Sequence, residues 1–214
     1  MAHSTRAVTG AQVADCHRPL NGPNAGYFPN VVVLTHENRK ALFYDDLLRG
    51  KLVMVNFMSI KADAVYRTTE RLAKVQPHLG DRLGKDVFMY SITVDPLHDT
   101  PQALAEFAEL HGVMPGWLFL TGAPAAIDNL RGRFFTAPSA HLCDAGPAED
   151  CCMGMIRYGN EAVGLWGSVP SMSPPEAIAM RISWMEVRPQ PAGPPKRKGP
   201  MPLELTERQT GEGQ

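Results

Sequence analysis

Three short apolar runs in the middle of the chain alternate with longer amphipathic segments and predict a layered α/β structure. The runs are KLVMVNF at 51–57, VFMYSITV at 87–94 and WLFLTG at 117–122. Runs of this length with almost no polar residues are typical of strands that are buried on both faces of a sheet. One helix is predicted from Asp63 to Leu83, with a kink at Pro77. A second helix follows Asp99 or Thr100 as its cap.

Weaker patterns complete the order of elements on both sides of this centre. They predict a strand at 31–36, a short strand and a turn at 41–50, a helix at 124–134, a hairpin around the turn at 159–161, and a last helix opened by a capping box of Ser173 and Glu176. Strands that alternate with helices, followed by a hairpin and a closing helix, indicate a central mixed sheet flanked by helices. This order is that of the thioredoxin-like fold.

The length and composition predict one domain with tails. A chain of 214 residues with 44% hydrophobic content can bury one sizeable core. Residues 1–26 mix Gly, Pro, Asn and Ser without periodicity and are predicted to form a flexible N-terminal arm. Residues 188–214 are rich in Pro, Gly and charge and predict a disordered tail. The folded domain is therefore expected at 27–187.

The charge balance and the N-terminus limit the choice of partner and compartment. With 21 basic and 22 acidic residues the net charge is -1, so nothing favours binding to nucleic acid or to an anionic membrane surface. No apolar run reaches the roughly 20 residues of a membrane span, and the first 20 residues lack the apolar segment of a secretory signal. The chain as written is expected to be cytoplasmic if it is complete. Protein partners, small molecules or metals are the expected ligands.

Soft metal ligands are concentrated in one segment, AHLCDAGPAEDCCMGM at 140–155. It contains His141, Cys143, Cys151, Cys152, Met153 and Met155. Thiolates and thioethers favour Cu(I) or zinc, although this spacing matches no standard zinc signature. Three interpretations stay open: a metal site, a disulfide from Cys143 to Cys151 or Cys152, and unliganded thiols.

The sequence contains no recognisable catalytic constellation. Its histidines are scattered, no nucleophile, base and orienting acid can be assembled from their order, and there is no glycine-rich loop for phosphate. Asp95 and Asp99 follow the strand at 87–94, where turn and capping roles explain both of them. In an open α/β sheet, ligands bind beyond the carboxyl ends of the strands, so Asp95 and the turn after Phe57 are expected at the ligand-binding edge.

Three segments together resemble the Sco (SenC-type) copper chaperones of cytochrome oxidase assembly. They are YFPNVVVLTHENRKALFYDDLLRGKLVMVNFM, VFMYSITVDPLHDTPQALAEFAELHGVMPGWLFLTG and GMIRYGNEAVGLW, and the similarity extends from about Tyr27 to Met185. The resemblance implies a thioredoxin-like fold. It also implies a location in the bacterial periplasm or the mitochondrial intermembrane space.

The resemblance further implies a copper site whose usual ligands are replaced in this chain. The family binds copper through a Cys-x-x-x-Cys pair in the turn after the strand at 51–57 and through a distant histidine. The cysteine positions fall on Ala62 and Tyr66, and the histidine position falls on Cys152, or on Cys151 if the alignment shifts by one residue. Alanine has no donor atom, and a phenol with a pKa of about 10 is a poor ligand for Cu(I). Neither residue can form a disulfide.

Three functions are consistent with these observations. The first is a Sco-like protein without the family copper site or any cofactor, acting through protein contacts as an assembly factor or accessory subunit of a respiratory or other metalloenzyme complex. The second is a copper metallochaperone with a relocated soft site at Cys151, Cys152 and Met153, assisted by Cys143. The third is a thiol redox protein that uses the same cysteines. Enzymatic activity is not expected.

Overall fold

A seven-stranded mixed sheet runs through the computed structural model, which describes residues 21–135 and 153–186. The strands are β1 Val32–Thr35, β2 Lys40–Leu42, β3 Leu52–Met58, β4 Val87–Thr93, β5 Trp117–Gly122, β6 Met155–Asn160 and β7 Leu165–Pro170. Their order across the sheet is β2-β1-β5-β4-β3-β6-β7. The central strands β3, β4 and β5 are parallel, and all other pairs are antiparallel. The predicted mixed sheet and C-terminal hairpin are confirmed.

Helices cover both faces of this sheet. They are α1 Ile60–Tyr66, α2 Thr68–Ala73, α3 Gln76–Leu79, α4 Pro101–Leu110, α5 Pro124–Phe134 and α6 Pro175–Ser183. Helix α6 is the predicted closing helix. A π-helix at Phe43–Leu48 takes the place of the turn predicted after β2. No helix within the two described ranges combines the length and apolarity needed to cross a membrane. The described residues do not test the predicted domain boundaries near residues 26 and 187, which stay predictions.

The prediction of one helix from Asp63 to Leu83 is wrong. The chain forms α1, α2 and α3 in succession, followed by a short 3-10 turn at Gly80–Arg82. Between α1 and α2, Arg67 has a φ of 51°, which places it in the left-handed region and ends the first helix. Pro77 lies in the first turn of α3, where its missing N–H costs no helical hydrogen bond.

The capping predictions had different outcomes. The Thr100 hydroxyl accepts a hydrogen bond from the N–H of Ala103 at 3.3 Å, so Thr100 caps α4 as predicted. The predicted capping box of Ser173 and Glu176 is wrong, because α6 begins one residue later than that box requires. Its cap residue is Pro174, whose side chain has no hydrogen-bonding group.

Strand β3 separates two hydrophobic cores and is buried on both faces, as the apolar run predicts. Val53, Val55 and Phe57 face the core formed with α5 and the π-helix. Met54 and Met58 face the core formed with α2, α3, α4 and α6. All five side chains are 0–2% exposed, so β3 lies in the middle of the molecule.

A buried polar chain links the three parallel strands. The indole N–H of Trp117 on β5 donates to the hydroxyl of Ser91 on β4 at 2.9 Å. That hydroxyl donates in turn to the side-chain oxygen of Asn56 on β3 at 2.7 Å. All three residues are at most 2% exposed. Since water cannot replace these partners, the chain favours this register of the three strands.

Replacing Ser91 by alanine is expected to destabilise the protein by about 1–3 kcal/mol, because the Trp117 N–H and the Asn56 oxygen would both lose a buried partner. Urea denaturation measures the loss. The matched control is Ser168→Ala, an exposed serine on β7, which is expected to change the free energy of unfolding by less than about 0.5 kcal/mol. Equal stabilities of the two variants would contradict a structural role for the buried chain.

Candidate functional site

The turn between β3 and α1 is fixed by Ser59. Its hydroxyl accepts a hydrogen bond from the N–H of Ala62 at 3.1 Å, and its carbonyl oxygen accepts one from the N–H of Asp63 at 2.9 Å. Ser59 is 6% exposed and has extended backbone angles, which is the usual geometry of a helix cap. The helix therefore begins immediately after the buried strand. The sequence signal for this cap was a serine directly before the helix, but the helix start was predicted too late to use it.

The carboxylate of Asp99 holds the start of α1 against the end of β4. It accepts a hydrogen bond from the N–H of Ile60 at 3.2 Å and a short one from the hydroxyl of Thr93. The Thr93 oxygen also accepts the N–H of Asp95 at 2.9 Å. Burial raises the pKa of the Asp99 carboxyl, although the hydrogen bonds from Thr93 and Ile60 oppose that shift. Sequence reasoning offered Asp99 only as a turn or capping residue and missed this contact between two loops.

Asp63 explains why α1 ends after seven residues. Its carbonyl oxygen accepts the N–H of Arg67 at 2.8 Å, and its side chain accepts the N–H of Thr69 at 3.0 Å. The Asp63 carboxylate thus caps the first turn of α2 while its own residue belongs to α1. Asp63 is 6% exposed, so this double role is part of the buried framework of the turn.

An open cavity of about 550 Å³ lies against α1 at the carboxyl edge of the sheet. We call it the α1 cavity; it is lined by Ser59, Lys61, Ala62, Val65, Tyr66, Val94, Asp95 and Met153. Ala62 and Tyr66 are four residues apart and therefore share one face of α1. Met153 approaches from the other side, where it forms an isolated parallel bridge with Phe57. The structure therefore brings together Ala62, Tyr66 and Met153, which the sequence analysis had singled out.

Asp95 lines the α1 cavity as expected, and it contacts a histidine. The Nδ1 atom of His98 lies 2.8 Å from a carboxylate oxygen of Asp95. His98 is 80% exposed, so the pair is open to solvent and forms an ion pair only when the imidazole is protonated. A surface pair of this kind contributes little to stability.

The donor atoms that line the α1 cavity do not by themselves suit copper. They are the Met153 thioether, the Tyr66 phenol, the Asp95 carboxylate and the Ser59 hydroxyl, of which only the thioether is a soft ligand. Within residues 21–135 and 153–186, no group of three histidine, cysteine or acidic residues is arranged to hold a metal ion. The predicted ligands Cys151 and Cys152, and also Cys143, lie outside the described residues. Their metal binding and disulfide pairing stay predictions.

Exposed apolar side chains occur at the α1 cavity and in the turn after Asp95. Val65 lines the cavity and is 78% exposed, and Leu97, two residues after Asp95, is 75% exposed. Lys61 is also exposed at the cavity. Apolar side chains beside a concave, partly polar surface are a common feature of protein-binding sites. Sequence reasoning did not single out these residues, because nothing in the local pattern shows which face of so short a helix is left uncovered.

Replacing Asp99 by alanine is expected to lower the free energy of unfolding by about 1–3 kcal/mol, because the Ile60 N–H and the Thr93 hydroxyl would lose their buried acceptor. Asp99→Asn retains an acceptor oxygen and is expected to lose less. Urea denaturation of both variants measures the difference.

The pH dependence provides the control for that comparison. Because the pKa of Asp99 is raised in the folded protein, the folded state holds this proton more tightly than the unfolded state does. The resulting stabilisation is present below the ordinary carboxyl pKa and is lost as the pH rises through the raised value. Wild type should therefore lose stability relative to Asp99→Asn as the pH increases from about 3.5 to 7. A constant difference would contradict the buried position assigned to this carboxylate.

Comparison with known proteins gives one consistent result. The sequence model of the SCO1/SenC family matches residues 34–147. A SCO1/SenC lipoprotein from Bacillus anthracis str. Ames is 19% identical, with a TM-score of 0.59 over 79% of this chain and 98% of that one. Copper-bound ScoI from Bradyrhizobium japonicum is 18% identical, with a TM-score of 0.54 over 72% and 96%. Yeast Sco1 is 18% identical, with a TM-score of 0.53 over 72% and 93%. Comparison with curated proteins gave no match.

Proposed function

The chain belongs to the SCO1/SenC family, and on this premise we propose that it acts in the assembly of a copper-containing respiratory enzyme through contacts with a protein partner. In this proposal the protein is an assembly factor or an accessory subunit, and it does not ligate copper at the turn after β3. The observation that carries the proposal is the pair of residues at the family's cysteine positions. Ala62 has no donor atom, and Tyr66 offers a hard phenol at the wall of the α1 cavity.

The framework around these two residues supports a role that does not depend on the ligands. Ser59, Asp63 and Asp99 hold the turn, the cavity and the edge of the sheet in place through hydrogen bonds to backbone N–H groups. Ala62 contributes only its own N–H to this network. A surface held in this way presents a fixed shape to a partner, which lowers the cost of ordering side chains on binding.

The exposed side chains beside the α1 cavity indicate where the partner would bind. Val65 adds apolar area at the cavity, Lys61 adds a positive charge there, and Leu97 is an exposed apolar side chain two residues after the cavity residue Asp95. An apolar contact at these side chains would exclude water from the cavity mouth. We therefore assign the partner surface to Val65, Leu97 and Lys61.

Replacing Val65 and Leu97 together by serine is expected to weaken partner binding by about tenfold or more, since truncating apolar anchors of an interface typically has effects of this size. The tagged protein is recovered from its native host, the co-purified partner is identified by mass spectrometry, and its affinity for wild type and variant is then measured.

The matched control is Leu165→Ser, which changes a leucine that is 52% exposed on β7, at the end of the sheet where Asn160 pairs with Leu52. This variant should bind the partner like wild type. The proposal predicts that the partner is a component of a copper enzyme or of its assembly machinery. Recovery of the protein alone, or equal binding by all three forms, would contradict it.

One observation favours a second candidate, copper binding at a relocated site. Met153 contributes a soft thioether to the α1 cavity and directly follows Cys151 and Cys152 in the sequence. A thioether with thiolates is a ligand set that Cu(I) prefers. In this candidate function the copper would be cargo, held on the side of the cavity opposite Ala62 and Tyr66.

Titration with Cu(I) against a competing chelator tests the relocated site. If the site exists, the double variant Cys151→Ser, Cys152→Ser loses most of its Cu(I) affinity, because a hydroxyl is a much poorer ligand than a thiolate for this ion. The control Cys16→Ser changes a cysteine far from this segment in the sequence and should leave the affinity unchanged. Equal affinities of wild type and the double variant would remove this candidate.

A further inference from the structure

A second cavity lies at the amino ends of β3 and β4, on the opposite edge of the sheet from the α1 cavity. We call it the amino-edge cavity. Its volume is about 590 Å³, and it is lined by Gly50, Lys51, Leu52, Arg82, Lys85, Asp86, Phe88, Asn160, Ala162 and Glu186. Strands β3 and β4 run in parallel for seven residues each, so the two edges are about 20 Å apart. None of the functions considered above uses this cavity.

Three basic side chains line the amino-edge cavity, and only one of them has an acidic partner. Arg82 forms an ion pair with Glu186 and a hydrogen bond to the hydroxyl of Ser183 at 3.2 Å. Its charge is therefore offset. Lys51 and Lys85, by contrast, form no ion pair with any of the residues that the structure describes.

Lys51 is held in place by contacts other than an ion pair. Its ammonium group donates to the carbonyl oxygen of Asp46 and lies 4.9 Å from the centre of the Phe88 ring. Partial burial lowers the pKa of Lys51, and the nearby Asp46 carboxylate opposes that shift. Asp46 is not among the residues that line the amino-edge cavity.

The remaining charge in the amino-edge cavity is Asp86, an exposed carboxylate with no ion pair to any described residue. Three basic side chains against the carboxylates of Asp86 and Glu186 leave the lining of the amino-edge cavity with an excess of one positive charge. A partly desolvated cation gains more from a multivalent anion than from a single distant carboxylate.

From this arrangement we infer that the amino-edge cavity binds a phosphate group, with Lys51 and Lys85 donating to its oxygens and Phe88 forming an apolar side of the site. A tetrahedral dianion offers several acceptor oxygens and can therefore contact both ammonium groups at once. A free phosphate compound supplies such a dianion, and the phosphodiester of a phospholipid headgroup supplies a single negative charge with two acceptor oxygens. The inference is independent of the proposed docking at the α1 cavity.

The test is calorimetric titration of the full chain with inorganic phosphate at low ionic strength, where surface charges are least screened. Wild type is expected to bind, and Lys51→Gln and Lys85→Gln are each expected to weaken binding by about tenfold, the effect of losing one charge-assisted contact. Asp86→Asn should strengthen binding, because it removes a repelling carboxylate that, unlike Glu186, forms no ion pair with a described residue. Lys40→Gln is the charge-matched control, since Lys40 lies on β2 outside this cavity, and it should have no effect.

The pH dependence of phosphate binding tests the role of Lys51 separately. As the pH rises towards the ordinary lysine pKa, phosphate stays a dianion while Lys51, with its lowered pKa, loses its proton earlier than an ordinary lysine does. Phosphate affinity should therefore fall more steeply in wild type than in Lys51→Gln. If Lys51→Gln does not fold, Lys85→Gln still tests the site, because Lys85 is exposed.

Vesicles of phosphatidylglycerol distinguish the two sources of phosphate. Binding of inorganic phosphate that both lysine variants weaken supports a site for a free phosphate compound. Vesicle binding that the same variants weaken, without measurable binding of inorganic phosphate, supports a lipid headgroup. The absence of both kinds of binding, or binding that neither lysine variant changes, would overturn the inference.

Discussion

The parallel pairing of β3 with β4 determines where everything else at the candidate site lies. The two strands align residue by residue from Leu52 with Val87 to Met58 with Thr93, so their carboxyl ends meet at one edge. Asp99 then joins those ends, because its carboxylate accepts the N–H of Ile60 and the hydroxyl of Thr93. These buried hydrogen bonds fix α1 beside the loop that carries Asp95, and residues of both line the α1 cavity.

The hydrogen bonds that stabilise the turn after β3 do not depend on the side chain at position 62. The side chains that hold the turn are Ser59, Asp63 and Asp99, and Ala62 takes part only through its backbone N–H. The caps of α1 and α2 are therefore compatible with alanine at this position, and this member of the SCO1/SenC family can carry Ala62 in an ordered turn.

The sequence predicted the strands that depend on local patterns. It did not predict the features that depend on contacts between residues distant in the chain. The apolar runs identified β3, β4 and β5 because strands buried on both faces have few polar residues. The break at Arg67 was missed, since it depends on the Asp63 carboxylate reaching the N–H of Thr69. No local sequence pattern predicts that Met153 and Ala62 line the same cavity. Met153 is placed there by its bridge to Phe57, which joins residues nearly a hundred positions apart.

The central claim is that this SCO1/SenC protein does not use the turn after β3 as a copper site. The most direct measurement is a crystal structure of the protein grown with excess Cu(I), with anomalous difference density collected at the copper absorption edge. The account predicts no copper peak bound to the turn after β3 or to helix α1, including the phenol of Tyr66. A copper ion coordinated by Tyr66 or by another residue within 59–66 would contradict the account.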